Sequence, residues 1–406
     1  MNPFVRYGSG LLALRAGATP AWMVALLLAA AAIAMVLPAG CGGAGTDGTG
    51  PSANSVNVGV LKGLAETSIT VNGITYETSG ATVVDGFGQD RGAEALRLGM
   101  WLEVNGSVDE VSGTASAQSI RIRPAARGVV SAVDGAALTV TVLQSTARID
   151  TTATVVEGAE RATALAPGDV VEVHGPLGGG SGSVEATRIE RISTGLDARK
   201  PVELRGRVGA LDAAASTLTV GRQPVFYGNA TVELRKALAN GQVVRVRALT
   251  SPVGRTPWRV DRLTSDLPLP DNLGFIYAEG VTTDWAAGPL FALEDLPVDA
   301  TSATNRSAVT ADGQRVATIG ALVEGTLKAK SVARIQPGLP VVFALSGSVS
   351  SFVSIADLRV RGVLVDASAA VLVGGASADL VDGRRVKVTG TISGQKLIAT
   401  RLEFLL

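Results

Sequence analysis

A glycine heads the same eight-residue pattern at five places in this chain, at nearly constant spacing. The pattern is Gly, two residues, apolar, any, apolar, any, Gly. It occurs as GMWLEVNG (Gly99 to Gly106), GDVVEVHG (Gly168 to Gly175) and GRRVKVTG (Gly383 to Gly390), with looser copies GQVVRVRA from Gly241 and GQRVATIG from Gly313. The leading glycines at 99, 168, 241, 313 and 383 stand 69, 73, 72 and 70 residues apart. Self-similarity at a fixed period means that one supersecondary unit is reused along the chain. In four copies a Leu precedes that Gly by three residues: Leu96, Leu165, Leu238 and Leu380.

Other pieces recur around each anchor. Downstream comes a Gly and then a strand of alternating small and apolar residues, as in GTASAQSI (Gly113 to Ile120) and GTLKAKSV (Gly325 to Val332). Upstream come three short pieces, exemplified by Gly128/Val130, by LTV at Leu138 and by Ile149/Asp150. Alternation with period two, rich in Val, Ile and Thr and punctuated by Gly, predicts half-buried antiparallel strands. Asn72-Gly73 and Arg361-Gly362 predict two-residue hairpin turns, where Gly supplies the positive φ. In the anchor strand, alternation assigns Leu102, Val104, Val171, Val173, Val244, Val246, Val386 and Val388 to the core. The opposite face, with Trp101, Glu103, Glu172, His174, Arg245, Arg247, Arg385 and Lys387, is expected to meet solvent.

Five strands in about 70 residues can close into a small barrel, which removes exposed sheet edges. The longest gap runs from Ser79 to Leu98, where AEALRL (Ala93 to Leu98) is suited to a helical turn between the third and fourth strands. An oligonucleotide/oligosaccharide-binding (OB) barrel places a helix there. The expected fold is therefore all-β: five tandem small five-stranded antiparallel barrels, OB-like, with open sandwich-like units as the alternative. Expected repeats cover 57–126, 127–195, 202–265, 274–336 and 341–406. Connectors at Ser193 to Pro201, Asp266 to Asn272 and Gln336 to Pro340 carry Pro or Gly and lack alternation, so the copies are expected to form a semi-rigid string.

Residues 1–40 read differently. They hold Arg6, Arg15, no acid and an apolar run from Ala21 to Leu37, the make-up of a signal peptide. Pro38, Ala39 and Gly40 lead into Cys41, the only cysteine in 406 residues. This stretch resembles a bacterial lipobox, in which the signal is cut before a Cys that receives diacylglycerol. The lipobox Leu normally stands three residues before the Cys; here it is Leu37, four before. Ordinary cleavage after Ala39 or Ala44 is the alternative. The Gly-, Ser- and Thr-rich segment to Ser55 suits a flexible tether, so 41–56 is expected to be a lipidated Cys plus tether. Gly42 after the Cys, rather than Asp, implies the outer membrane, with a periplasmic or secreted form as the alternative.

One His and one Cys are too few for a His/Cys zinc site, an iron-sulfur cluster or an internal disulfide, so no cofactor or metal is expected. With 36 basic and 36 acidic residues, the chain lacks the basic excess of a general nucleic-acid binder. That balance is uneven: residues 202–264 carry ten basic and four acidic residues, and residues 57–124 carry five and eight. Arg245 and Arg247, with Trp258 and Arg259, are the candidate surface for an anionic ligand, since guanidinium and aromatic groups suit phosphate or acidic sugar. His174 reads as a surface imidazole with no catalytic partners. GGGSG (Gly178 to Gly182) superficially resembles a phosphate loop but lacks the following Lys and a helix, and reads as a turn.

The segments NGITYET, LRLGMWLEVNGSV, GTASAQSIRI, GDVVEVHG and VEATRIERI resemble a family of domains of unknown function found as tandem copies in proteobacterial lipoproteins and secreted proteins. The resemblance is strong over residues 57 to 195, good in the last copy and loose in copies three and four. It implies small OB-like barrels in the cell envelope and no established activity. Two functional readings follow. One is a membrane-anchored, non-enzymatic binding or scaffold protein whose partner is an anionic polysaccharide, lipopolysaccharide or an envelope protein. The other is a carbohydrate- or lipid-directed hydrolase with an unrecognised carboxylate or Ser site.

Overall fold

A computed structural model describes residues 53–109, 114–180, 182–195, 201–252, 256–393 and 396–406. The expected signal peptide and Cys41 lie outside the described residues. In the first copy the strands are β1 (Ala53–Leu64), β2 (Ser68–Val71), β3 (Ile74–Glu77), β4 (Thr82–Val84), β5 (Trp101–Asp109) and β6 (Thr114–Ile122). Pairing is antiparallel for β1–β2, β2–β3, β5–β6 and β1–β5, and parallel where β3 and β4 meet β6. The pairings thus return to β1 and close a ring. The same ring recurs in the last copy, from Val342–Ser354 round to Lys396–Phe404 and back. The helical turn expected in AEALRL is a 3-10 turn at Ala93–Ala95, repeated at Ala162–Ala164 and Ser377–Asp379.

The repeated glycines have a backbone cause. Gly99, Gly168, Gly241, Gly313 and Gly383 all enter their anchor strand at φ between 80° and 100°, a region that costs an L side chain strain. The closing glycine answers to a different constraint. A Cβ on Gly106, Gly320 or Gly390 would stand 2.0–2.1 Å from a carbonyl oxygen of the facing strand, at a point where the register shifts by one. These are bulges that need a residue without a side chain. Asn72-Gly73 forms the expected turn, with φ of 51° and 79°.

The fold is all-β, as expected, but the five barrels are not discrete. β1 pairs in parallel with Leu273–Thr283 of copy four through Ser55–Val58, and with Val342–Ser354 of copy five through Gly63 and Leu64. The first strands of copies two and three pair antiparallel at Arg127–Glu203 and Ala126–Leu204. Copies one, four and five thereby form one 17-stranded sheet, and copies two and three one of 14 strands. The cores merge likewise: Val104 and Val388 belong to one cluster, and Val173 and Val246 to another. The outward side of β1, with Val56, Val58 and Val60, joins the core of copy four. The array shares sheets and cores between repeats, as the coils of a solenoid do, so the expected semi-rigid string of five discrete barrels is corrected to a fused, solenoid-like body.

Candidate functional site

The core half of the anchor alternation stands as expected, since Leu102, Val104, Val171, Val173, Val244, Val246, Val386 and Val388 are all buried. The solvent half does not. Trp101, Glu103, Glu172, His174 and Arg245 are buried too, and only Arg385 and Lys387 are exposed, with Arg247 between. In copies two and three the outward faces form one surface. Register places Glu190, Glu172, Arg127, Glu203, Arg247 and Arg262 side by side across six strands. Copy one lies on this surface. Asp85 accepts the Phe87 and Gln89 N–H groups at 2.9 and 3.0 Å, a turn that sets the Phe87 ring 4.9 Å from the Arg247 guanidinium. Gly86 has no side chain because Arg245 occupies that space.

Sealing these charges from water splits their titration. Burial by itself would raise the Glu172 carboxyl, but the His174 hydrogen bond at 2.9 Å and the charges of His174 and Arg127 hold it down at about 2. Burial, reinforced by Glu172 and Asp85 and partly offset by Arg245 and Arg127, pushes Glu203 up to about 7. The Trp101 backbone N–H lies 3.4 Å from His174 Nδ1, and His174 Nε2 lies 2.9 Å from Glu172. His174 is thus a buried bridge between copies one and two and not a surface imidazole.

The centre of the junction is Asp266, which the sequence places in a connector. Its carboxylate takes the Arg205 Nη1 at 3.2 Å, the Arg245 Nη2 at 3.0 Å and the Arg123 guanidinium, and all four side chains are at most 1% exposed. Arg205 also donates to Glu294 at 2.8 Å and to the Gly175 carbonyl at 2.6 Å; Arg245 donates to the Pro124 carbonyl at 2.8 Å. Burial by itself would raise the Asp266 carboxyl, but the three guanidiniums outweigh it and hold the group well below the usual carboxylate range. Copies two, three and four and both flanking connectors meet in this one cluster.

Beside it, a cleft of about 820 Å³ opens between copies three and four. Its walls are the segment Leu234–Lys236, the start of the copy-three anchor strand at Val243, the connector to Asp271, and the copy-four strands Leu290–Leu293 and Leu296–Asp299. Asp295 accepts the Val243 N–H across the cleft at 2.9 Å. Its side chain lines the cleft, and desolvation there, with the charges of Asp266 and Glu294, pushes the carboxyl up to about 6. A second cavity of about 100 Å³ lies under Gly178–Gly180 and Gly182, against Arg205 and Glu294. There Leu177 N–H donates to Glu294 at 2.9 Å and Gly178 N–H to the Ser183 carbonyl at 2.8 Å, so Gly178 closes back on Ser183 beside copy four.

The four residues proposed as an anionic-ligand surface are not brought together on one. Arg245 is consumed by Asp266, and Trp258 is 2% exposed with its Nε1–H on the Thr250 carbonyl at 2.6 Å. Arg247 pairs with Asp261 at 3.3 Å under Phe87, and the exposed Arg259 stacks 4.8 Å from the Phe226 ring centre. The cleft was missed because its residues come from seven separated stretches, none with a motif. Neither cavity has Glu172, His174 or Glu203 in its wall. Among the described residues no group of three or more His, Cys, Asp or Glu could hold a metal ion, and no helix is long and apolar enough to cross a membrane.

No curated protein matches this chain. Residues 58–121, 127–190 and 205–256, which fall in copies one, two and three, each match the family model described as Domain of unknown function (DUF5666), so the chain carries three tandem regions similar to that domain.

Proposed function

We propose that each copy is an OB-like barrel and that the protein is a non-enzymatic binding or scaffold component of the cell envelope, an outer-membrane lipoprotein held by a lipid on Cys41. The ring order, with β1 between β2 and β5 and β3 beside β6, is that of an OB barrel whose fourth and fifth strands are β5 and β6. The observation that carries the reading is the Asp266 cluster. Side chains with strongly shifted titration usually point to chemistry, but here Asp266, Glu172 and Glu203 are buried, Asp266 pairing with three arginines and Glu172 with His174 and Arg127. Their role is to lock repeats into a rigid body, which suits a scaffold presenting a fixed surface.

One observation favours the hydrolase reading: Asp295, raised to about 6, lies in the cleft between copies three and four. A glycosidase needs a second carboxylate placed across the scissile bond, and the other cleft aspartates, Asp271, Asp284 and Asp299, are paired with Arg235, Arg207 and Lys328. Two measurements test the proposal. A Cys41→Ser form should leave the membrane fraction and lose the diacylglycerol mass; unchanged fractionation and mass refute the anchor. The full Cys41→Ser chain should capture envelope material without turning it over, and capture that persists unchanged in Asp295→Asn supports binding. Turnover lost in Asp295→Asn replaces this reading with the hydrolase.

A further inference from the structure

The cleft between copies three and four is lined by Asp266 of the charge cluster and also by groups that take no part in that cluster. Its volume of about 820 Å³ falls in the range of small-molecule sites, which are mostly apolar with a few placed polar groups. Two chemical zones divide it. The apolar zone contains Leu234, Leu267, Leu269, Leu290, Leu296 and Pro297, and Leu290 is 56% exposed although it stands among them. A single exposed leucine needs no explanation. A group of apolar side chains gathered in one cleft, with Leu290 and Pro297 exposed and Leu234, Leu267 and Leu269 partly so, marks a place where something apolar binds.

The polar zone is set by which charges are left over. Arg207 faces Asp284 at 3.7 Å, Arg235 faces Asp271 at 3.3 Å and Lys328 faces Asp299 at 3.0 Å. Lys236 is exposed and, among the described residues, has no carboxylate within ion-pair reach. Its ammonium reaches from copy three to within 3.9 Å of the Cβ position at Gly325 in copy four, so it spans the cleft mouth. On the inner wall, Asp295 is engaged by the Val243 N–H. The cleft thus offers an apolar floor, one cation without an ion pair at its rim, and one carboxylate, Asp295, held on the inner wall by the Val243 N–H.

We infer that this cleft takes a single-chain amphiphile with one anionic head, carboxylate or phosphate: the acyl chain lies on the apolar floor and the head pairs with Lys236. This rests on the binding reading above and names its ligand class. The test uses the full chain with palmitate, hexadecyl phosphate and neutral hexadecanol as probes, in titration calorimetry, with thermal melts confirming that variants fold. Palmitate or hexadecyl phosphate should bind once per chain, and the preferred head identifies the source. Leu290→Arg should weaken every probe at least tenfold. Lys236→Glu should weaken the anionic probes about tenfold and leave hexadecanol unchanged. Anionic probes that fail to saturate, or that bind both variants at full strength, overturn the inference. If they fail while the chain still captures envelope glycan or protein, the binding reading survives without the amphiphile; if capture fails as well, both fall.

Discussion

The anchor strands of copies three and five carry cations at the same outward positions, Arg245 and Arg247 in one and Arg385 and Lys387 in the other, with Val244, Val246, Val386 and Val388 buried behind them. Arg245 is 1% exposed and bonded to Asp266 and the Pro124 carbonyl. Arg385 is half exposed and meets only Glu66 of copy one, itself 71% exposed. Alternation therefore reports that a strand has two faces and which one is apolar. It does not report whether the other face meets water or another copy, because the same charged residues serve both. What distinguishes them is supply of partners: copy three has two carboxylates, a turn with Gly86 and an aromatic ring arranged around its cations.

The contrast can be broken by removing a partner on each side. Asp266→Ala leaves three buried guanidiniums without their shared anion and should cost about 3–5 kcal/mol in urea unfolding, whereas Arg385→Ala should cost less than about 1 kcal/mol. Equal costs would mean that the Asp266 cluster is not what holds copies two to four together.

The next effect is a pH dependence confined to the covered face. Glu203 is raised to about 7 from an ordinary value of 4.5, so the folded state binds its proton more tightly than the unfolded state does. Its stabilising contribution is full below about pH 4.5 and is lost as pH rises to 7. Glu203→Gln should therefore gain on the order of 3 kcal/mol over the parent at pH 8 and little at pH 4; parallel stability curves would overturn this. Glu172 runs the opposite way: its contribution is present above about 4.5 and is lost as pH falls toward 2.

Two smaller effects sharpen the comparison by asking what the copies share. Gly106→Ala and Gly390→Ala both drive a Cβ into a facing carbonyl and should each cost about 1–3 kcal/mol, the same in copy one as in copy five, since the bulge belongs to the barrel and not to its neighbours. Lys387→Glu should change stability by no more than about 0.5 kcal/mol, read from the same urea curves.

Within a copy, much was legible in the sequence. The glycine period, the apolar half of the anchor strand, the Asn72-Gly73 turn and the short helical turn near Ala93 all follow from local rules of backbone and alternation. Between copies, little was legible. Asp266 looks like a connector residue because it follows the last strand of its copy and begins a Pro-rich stretch; its three arginine partners stand 143, 61 and 21 residues away. The surplus of cations in residues 202–264 was a true signal with a different meaning. Part of it is matched by carboxylates of other copies and of the connector, as when Glu294 receives Arg205. The cleft had no local mark either, since Lys236 and Leu290 become neighbours only through the packing of two copies.

Arrays of interchangeable units change length by duplicating or losing one. The Asp266 cluster sets a stoichiometry that forbids this over most of the chain: it draws Arg123 from the first connector, Gly175 from copy two, Arg205 and Arg245 from copy three, and Glu294 from copy four, each once. An extra or missing unit inside that span would leave a buried guanidinium or carboxylate with no counter-ion, at a cost near the whole stability of a domain. The number of copies from one to four is therefore fixed by charge matching, and their order along the gene is fixed with it.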